Sequence, residues 1–205
     1  MNIIKKTYSK NNNEIILIKG EICTAKQNSP QQKTILIIGV VHGDEPQGKF
    51  LIENYLSLRG ESRNNPKNKL LFIPCLNPDG LALKTRENAN GVDLNRNFHT
   101  EPTEIETIFV KEIIKEFKPN IILTIHSPYK VVNYDGPAEK IAQDISEIIG
   151  YPTSNDIGYP TPGSLGTYAG IERNIPIITL ELDEEIDVNK LIAPVNRIFN
   201  YLANI

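Results

Sequence analysis

Three short apolar runs end in residues that can bind a metal or move a proton. T-I-L-I-I-G-V-V (Thr34–Val41) runs into His42-Gly43-Asp44-Glu45, I-I-L-T-I (Ile121–Ile125) runs into His126, and I-T-L-E-L carries Glu181. The chain has three histidines, and two of them stand at these run ends. A catalytic zinc site takes about three protein ligands from His, Asp and Glu and keeps one position open. H-x-x-E on a tight turn aims two side chains at one point, Gly43 lets the backbone turn there, and a third ligand from another strand closes the set. Such a metal makes water nucleophilic at working pH. A further carboxylate must then take the water's proton and pass it to the leaving amine, and Glu181 is the candidate. Taken singly, the H-x-x-E pair, His126 and Glu181 each also suit a surface pair, a hydrogen-bonded core histidine and a solvent-facing carboxylate. Their joint placement is what points to one site.

The segment from Asn77 to Phe98, N-P-D-G-L-A-L-K-T-R-E-N-A-N-G-V-D-L-N-R-N-F, is long for a connection, and long ordered loops usually carry function. Arg86 and Arg96 lie in it. Arginine suits bidentate capture of a carboxylate, and beside a metal it also stabilises a developing oxyanion. Structural ion pairs with Asp79 or Asp93 are the plainer use of the same arginines. Asp93 and Asp44 are both candidates to orient a metal-binding histidine through its second N–H. His99, at a loop end, reads as exposed.

The elements that must position these groups alternate. Thr34–Val41, Leu70–Leu76, Ile121–Ile125 and Ile175–Leu182 read as strands. Helical spacing is found in Pro46–Leu58 (Phe50, Leu51, Tyr55, Leu58) and Glu101–Phe117 (Ile105, Ile108, Phe109, Ile113, Phe117), and Pro137–Ile149 also reads as a helix. A closing helix has Asp187 as N-cap and Leu191, Ile192, Val195, Ile198 and Leu202 as its buried stripe. Gln27–Lys33 and Glu61–Lys69 read as loops. This pattern predicts an α/β fold, one catalytic domain over 1–205, with a mixed, largely parallel sheet and helices on both faces. Ligands of such sheets gather beyond the carboxyl ends of the strands, where His42, Glu45, His126 and Glu181 fall.

The 205 residues are 40% hydrophobic and 23% charged, with a formal net charge of -3. That balance suits a folded domain, and it gives nucleic acid no basic surface to bind. No apolar stretch approaches a membrane span, and the first residues lack the apolar core of a signal peptide, so a cytoplasmic protein is expected. Cys23 and Cys75 form no disulfide framework, and Cys75, in an apolar run, reads as a buried thiol.

H-G-D-E (His42–Glu45), N-P-D-G (Asn77–Gly80), G-V-D-L-N-R-N-F (Gly91–Phe98) and T-L-E-L (Thr179–Leu182) occur in the order seen in zinc carboxypeptidases, which the chain resembles from about Thr34 to Leu182. T-R-E-N-A-N-G-V-D-L-N-R-N-F, I-H-S-P-Y and G-Y-P-T-P-G-S-L-G-T-Y-A-G-I-E-R-N-I-P-I-I-T-L-E-L bring it nearest to the murein peptide amidases, which cut the amide between γ-D-glutamyl and meso-diaminopimelate in cell-wall peptides. The resemblance implies one zinc ion on His42, Glu45 and His126, Glu181 as general base, and Arg86 polarising the scissile carbonyl. It also implies Asn95 and Arg96 gripping the substrate's terminal carboxylate. A mobile substrate-binding tyrosine falls at Tyr159, with Tyr168 as the alternative. The implied partner is a small murein tripeptide. Leu165 falls near the position that shapes the side-chain pocket, and Asp156, Asp183 or Glu184 could meet the ammonium of diaminopimelate. Three other functions fit the same motifs: a carboxypeptidase of ordinary C-terminal residues, a deacylase of the succinylglutamate desuccinylase or aspartoacylase type, and a zinc-retaining peptide-binding module without turnover.

Overall fold

The computed structural model describes residues 2–20, 32–58, 66–156, 158 and 161–205, and the backbone of Arg59. Cys23 and Tyr159 lie outside the described residues, as does most of the Gln27–Lys33 loop and the first half of Glu61–Lys69.

The centre of the fold is four parallel strands: β3 (Thr34–Gly39), β4 (Lys69–Ile73), β5 (Ile121–His126) and β8 (Ile177–Glu181), in the order β4-β3-β5-β8. They are short and nearly all apolar because both faces are covered. Ile35 and Ile37 of β3 point into a core with Leu51, Ile52 and Tyr55 of α1 (Gln47–Arg59) and Val195 and Phe199 of α5 (Val188–Leu202). Leu36 and Ile38 point the other way, against Phe109, Val110 and Ile113 of α3 (Ile105–Phe117). β3 connects through α1 to β4 on one side, and the chain then returns through α3 to lay β5 on the other side of β3. That reversal opens a crevice at the carboxyl ends of β3 and β5, where ligands of such sheets bind.

The expected α/β architecture is present, with differences at its margins. Antiparallel pairing extends both edges, with β1 (Asn2–Tyr8) and β2 (Glu14–Lys19) beside β4 and β6 (Val131–Asp135) beside β8; β7 (Thr153–Ser154) then pairs parallel with β6, making eight strands among the described residues. None of these four was anticipated, nor was the short helix α2 (Pro78–Leu83). The third helix starts at Ile105 rather than Glu101, and α4 (Glu139–Ile149) starts two residues after Pro137. The last strand starts after Pro176, which has no N–H for the ladder. Asp187 caps α5 as expected, accepting from the Asn189 N–H at 3.0 Å. The stripe of α5 is buried as expected at Leu191, Val195, Ile198 and Leu202; on α1 and α3, Leu51, Tyr55, Phe109 and Ile113 are buried as expected, but Phe50, Leu58, Ile105 and Ile108 are exposed and Ile52, Val110 and Ile114 are buried beside them.

Two loops reach the crevice through glycine. A Cβ on Gly43 would lie 2.0 Å from the Gly80 carbonyl carbon, so the turn after β3 and the start of α2 meet backbone to backbone. Asn77 caps α2 by accepting from the Gly80 N–H at 2.9 Å. Asp79, two residues after Asn77, ties α2 to the β1–β2 turn. It accepts from Ser9 Oγ (2.6 Å), Asn13 Nδ2 (2.7 Å) and the Asn11 N–H (3.1 Å). Burial pushes its carboxyl up, but these bonds and nearby Lys10 outweigh burial and hold it below the usual range. Replacing Asp79 by Ala should destabilise the fold by about 2–3 kcal/mol in urea unfolding, because three donors lose their acceptor. Since the folded carboxyl titrates below its ordinary value, its contribution is present above that value and is lost as pH falls through the folded one. The gap between wild type and Asp79→Ala should therefore close in acid.

Candidate metal centre and surrounding cleft

β3 ends one turn short of His42, and Glu45 follows on that turn, its N–H bonded to the His42 carbonyl at 3.3 Å. His126 is the last residue of β5 and is paired in register with Glu181 of β8. Four side chains from three neighbouring strand ends thus meet at one place, each less than a tenth exposed.

His42 Nδ1 lies 2.8 Å from Glu45 Oε1, His126 Nδ1 lies 2.9 Å from Glu45 Oε2, and the two Nδ1 atoms are 3.2 Å apart. Ligands at about 2.05 Å around a tetrahedral zinc ion stand about 3.3 Å from each other, so this spacing fits one shared cation. The proton on His42 agrees. Its Nε2 faces Asp93 Oδ1 at 3.2 Å, which places the N–H there and turns the lone pair of Nδ1 inward. Of the two candidates for orienting a histidine, Asp93 has the contact. Among the described residues, His42, Glu45 and His126 are the group able to hold a metal ion.

The two glutamates of the site are shifted in opposite directions. Burial pushes Glu45 up, but His126 and His42 beside it prevail and hold it at about 2. Glu181 is raised, mainly by burial, with Glu45 adding repulsion against the pull of the histidines. Its Oε2 is buried and has no hydrogen-bond partner among the described residues, while the Tyr129 N–H donates to the carboxylate. Carboxyls pushed apart in this way suit a ligand and a proton carrier, respectively.

Arg86 bridges the loop to the centre. Its Nε donates to Asp93 Oδ2 at 3.1 Å and one terminal nitrogen lies 3.6 Å from Glu45 Oε1. Ion pairing with Asp93 is therefore real, but the guanidinium still lines the cleft. Burial opposes its charge, and Asp93, Glu45 and Asp44 restore it, leaving its pKa raised. Asn95 and Arg96 sit on a 3₁₀ turn, Leu94–Arg96, capped by Asp93 through the Asn95 N–H at 2.8 Å. Asn95 Oδ1 accepts from the Leu165 N–H at 3.0 Å, so what the side chain can offer a ligand of the cleft it lines is its amide NH₂. A terminal nitrogen of Arg96 donates to the Asn95 carbonyl at 2.7 Å. Gly163 packs on this turn with φ +73°, where a Cβ would come within 2.3 Å of the Arg96 carbonyl oxygen.

His42, Glu45, Arg86, Asn95, Arg96, His126 and Glu181 all line one cleft of about 360 Å³. Leu165 does not line it; it is buried in the core beside α3. Tyr168 stacks between Phe98 and Arg173 outside the cleft, and His99 pairs with Glu172 at 2.8 Å. Asp183 pairs with Lys130, Asp156 is exposed away from the cleft, and Glu184 stands on its wall. The cleft also holds two groups that sequence reasoning missed, Asn133 and Asp135 on one face of β6. Asn133 Oδ1 is buried without a partner among the described residues, and burial alone raises the Asp135 carboxyl. The signal that could have found them is the i, i+2 polar spacing in V-V-N-Y-D.

The family description Zinc carboxypeptidase matches residues 1–144. That span includes His42, Glu45 and His126 and stops before Glu181. Murein peptide amidase A of Vibrio campbellii is 30% identical, the match covering 72% of this chain and 68% of that one. Carboxypeptidase SOL1 of Arabidopsis thaliana is also 30% identical, over 50% of this chain and 25% of its own length. Mouse carboxypeptidase D is 30% identical over 52% of this chain. The chain spans only 9% of that relative. Among solved structures, the murein-tripeptide amidase of Escherichia coli O157 superposes with a TM-score of 0.82 at 21% identity, covering 100% of this chain and 92% of that one. Carboxypeptidase A of Helicoverpa armigera gives 0.74 at 17%, covering 98% and 67%. These superpositions show a shared fold.

Zinc titrated into metal-free protein should raise the unfolding temperature and saturate at one equivalent. At free zinc about 100-fold above Kd the gain is about 2.7 kcal/mol. His126→Ala and Glu45→Ala should abolish the gain, and Glu181→Gln should keep it, as differential scanning calorimetry would register.

Proposed function

The chain belongs to the zinc carboxypeptidase family, and from that premise we propose that it hydrolyses the γ-D-glutamyl-meso-diaminopimelate amide of murein peptides. Residues 1–205 act as one catalytic domain, with one zinc ion held by His42, Glu45 and His126. The observation that carries the reading is Glu181: a buried carboxyl with a bare oxygen, beside the metal-competent triad, in a cleft that also presents Arg86, Asn95 and Arg96.

The zinc ion, when bound, supplies the Lewis acidity that makes water nucleophilic near neutral pH and polarises a carbonyl. The protein's own groups do the rest. Arg96 and the free amide of Asn95 hold the carboxylate next to the scissile bond. Arg86, kept in place by Asp93, faces the carbonyl oxygen and offsets the charge that grows on it. Glu181 takes a proton from the attacking water and returns it to the departing nitrogen, and its raised pKa suits it to both transfers. Tyr159 is the candidate for a further substrate contact.

Substrate choice rests on β6. An alkylammonium has three N–H donors and one charge. Asp135 and the unpaired Asn133 Oδ1 supply a carboxylate and a neutral acceptor on the same strand face, in the same cleft. This pair is the candidate to meet the distal ammonium of diaminopimelate; of the three carboxylates expected from the sequence, Asp156 and Asp183 lie off the cleft and Glu184 lines it. A second reading has the same support. Asp135 would equally suit the side chain of a C-terminal lysine or arginine, which would make the chain an ordinary carboxypeptidase.

Two substrates separate these readings. L-alanyl-γ-D-glutamyl-meso-diaminopimelate should be cleaved by zinc-loaded protein, and L-peptides ending in lysine should not. The reverse preference establishes the carboxypeptidase. In either case Glu181→Gln should lower kcat by about 10²–10⁴-fold with zinc still bound. Near-wild-type turnover would remove Glu181 from its role. Asp135→Asn should raise KM by about tenfold or more for the ammonium-bearing substrate, with a smaller change in kcat.

A further inference from the structure

Behind the turn that carries Asn95 and Arg96 lies a second cluster of polar groups, none of which lines the cleft. Asn88 is 4% exposed, Glu104 8% and Glu106 1%. Asn88 Oδ1 accepts from the N–H groups of Asn90 (3.0 Å) and Val92 (3.1 Å), which fixes the orientation of its amide. Its Nδ2 donates to Glu104 Oε2 at 2.9 Å and approaches Glu106 Oε2 at 3.4 Å. Asn90 Nδ2 adds a second bond to Glu104 Oε2 at 2.6 Å. On the far side of the turn, Asn97 Oδ1 accepts from the Glu104 N–H at 2.7 Å. The start of α3 therefore grips the chain on both sides of Asp93-Leu94-Asn95-Arg96.

We propose that the Asn88 amide, held by Glu104 and Glu106, is a latch that positions Asp93, Asn95 and Arg96, and that its grip depends on a proton carried by Glu106. Asn88 and Glu104 are positioning residues, because they touch no reacting group. The proposal rests on the reading of Asn95 and Arg96 as carboxylate-binding residues.

The chemistry of the cluster supports a proton on Glu106 over a bound cation. A cation between the carboxylates would face the donor end of Asn88, whose orientation the two backbone N–H groups dictate. Glu104 receives two amide donors and suits the ionised state. Glu106 does not. Its Oε1 is buried with no partner among the described residues. Burial raises its pKa. Its own backbone N–H and Asn88 pull it back, and the negative charges of Glu104 and of Asp79 on α2 push it up again. No cation is among the groups that set its charge state, and Lys10 of the β1–β2 turn is occupied with the Ala89 carbonyl at 3.2 Å. A raised folded pKa means that the fold favours the protonated acid. The latch is whole below the folded value and loosens as pH rises through it, when two negative charges must share one amide.

Asn88→Ser removes the latch amide, and Glu106→Gln holds the acid permanently neutral. In Asn88→Ser, hydrogen exchange over residues 90–97 should quicken at least tenfold while that of β5 is unchanged. KM for the tripeptide should rise about tenfold or more, with kcat within about threefold and zinc content intact. Across pH, KM of the wild type should climb relative to that of Glu106→Gln, whose curve lacks the extra titration. Unchanged exchange, superimposable pH curves, or a joint fall of kcat and zinc content would each overturn the latch. If wild-type protein cleaves no tripeptide, the substrate reading fails while the exchange experiment still decides the latch.

Discussion

Two imidazole nitrogens held 3.2 Å apart, both turned on one buried carboxylate, need positive charge between them. A protein that builds such a cluster must hold it from rigid supports, because each partner, left alone, would be a buried polar group without compensation. The central sheet provides the supports. His126 is fixed by its place at the end of β5, with a parallel neighbour on either side. His42 and Glu45 stand on a turn that can approach only because Gly43 meets Gly80 with no side chain between them. Asp93 then sets the His42 proton and ties down Arg86 with its second oxygen. One aspartate thereby links the ligand set to the loop that presents Arg86, Asn95 and Arg96.

Similar residue types do opposite work a few ångströms apart. Glu45 is surrounded by histidines and stays ionised. Glu181 shares the burial but lacks a direct partner on one oxygen, so it holds a proton more readily. Asp135 on the cleft wall is raised by burial alone. Pairing, more than depth, decides which carboxyl is held ionised and which is pushed toward its neutral acid.

Legibility followed burial. β3, β5 and β8 were readable because both faces are covered, so nearly every residue is apolar. β6 was not, since one of its faces lines the cleft and carries Asn133 and Asp135 where a core strand would carry aliphatics. The polar face that β6 turns to the cleft also erases its hydrophobic period. β1 was hidden by lysines on an edge exposed to water, whereas β2 is a largely buried apolar run, I-I-L-I, that sequence reasoning missed. The faces of α1 and α3 were read only in part because i, i+4 spacing alone does not say which of two adjacent apolar residues meets the sheet, as exposed Phe50 and buried Leu51 show.

Residue type and order alone determined the donor set. An H-x-x-E turn, a lone histidine and a late glutamate, each at the end of an apolar run, mark a metal-competent centre, because strand ends in an α/β sheet converge. Only the tertiary structure decided what surrounds it. The register of β5 with β8 sets Glu181 beside His126, and the β6–β8 pairing brings Asn133 and Asp135 into the cleft. Folding also takes Leu165 into the core and gives Asp93, not Asp44, the contact with His42. These are contacts between residues far apart in the chain or turned by backbone geometry, and no local pattern encodes the distance between them.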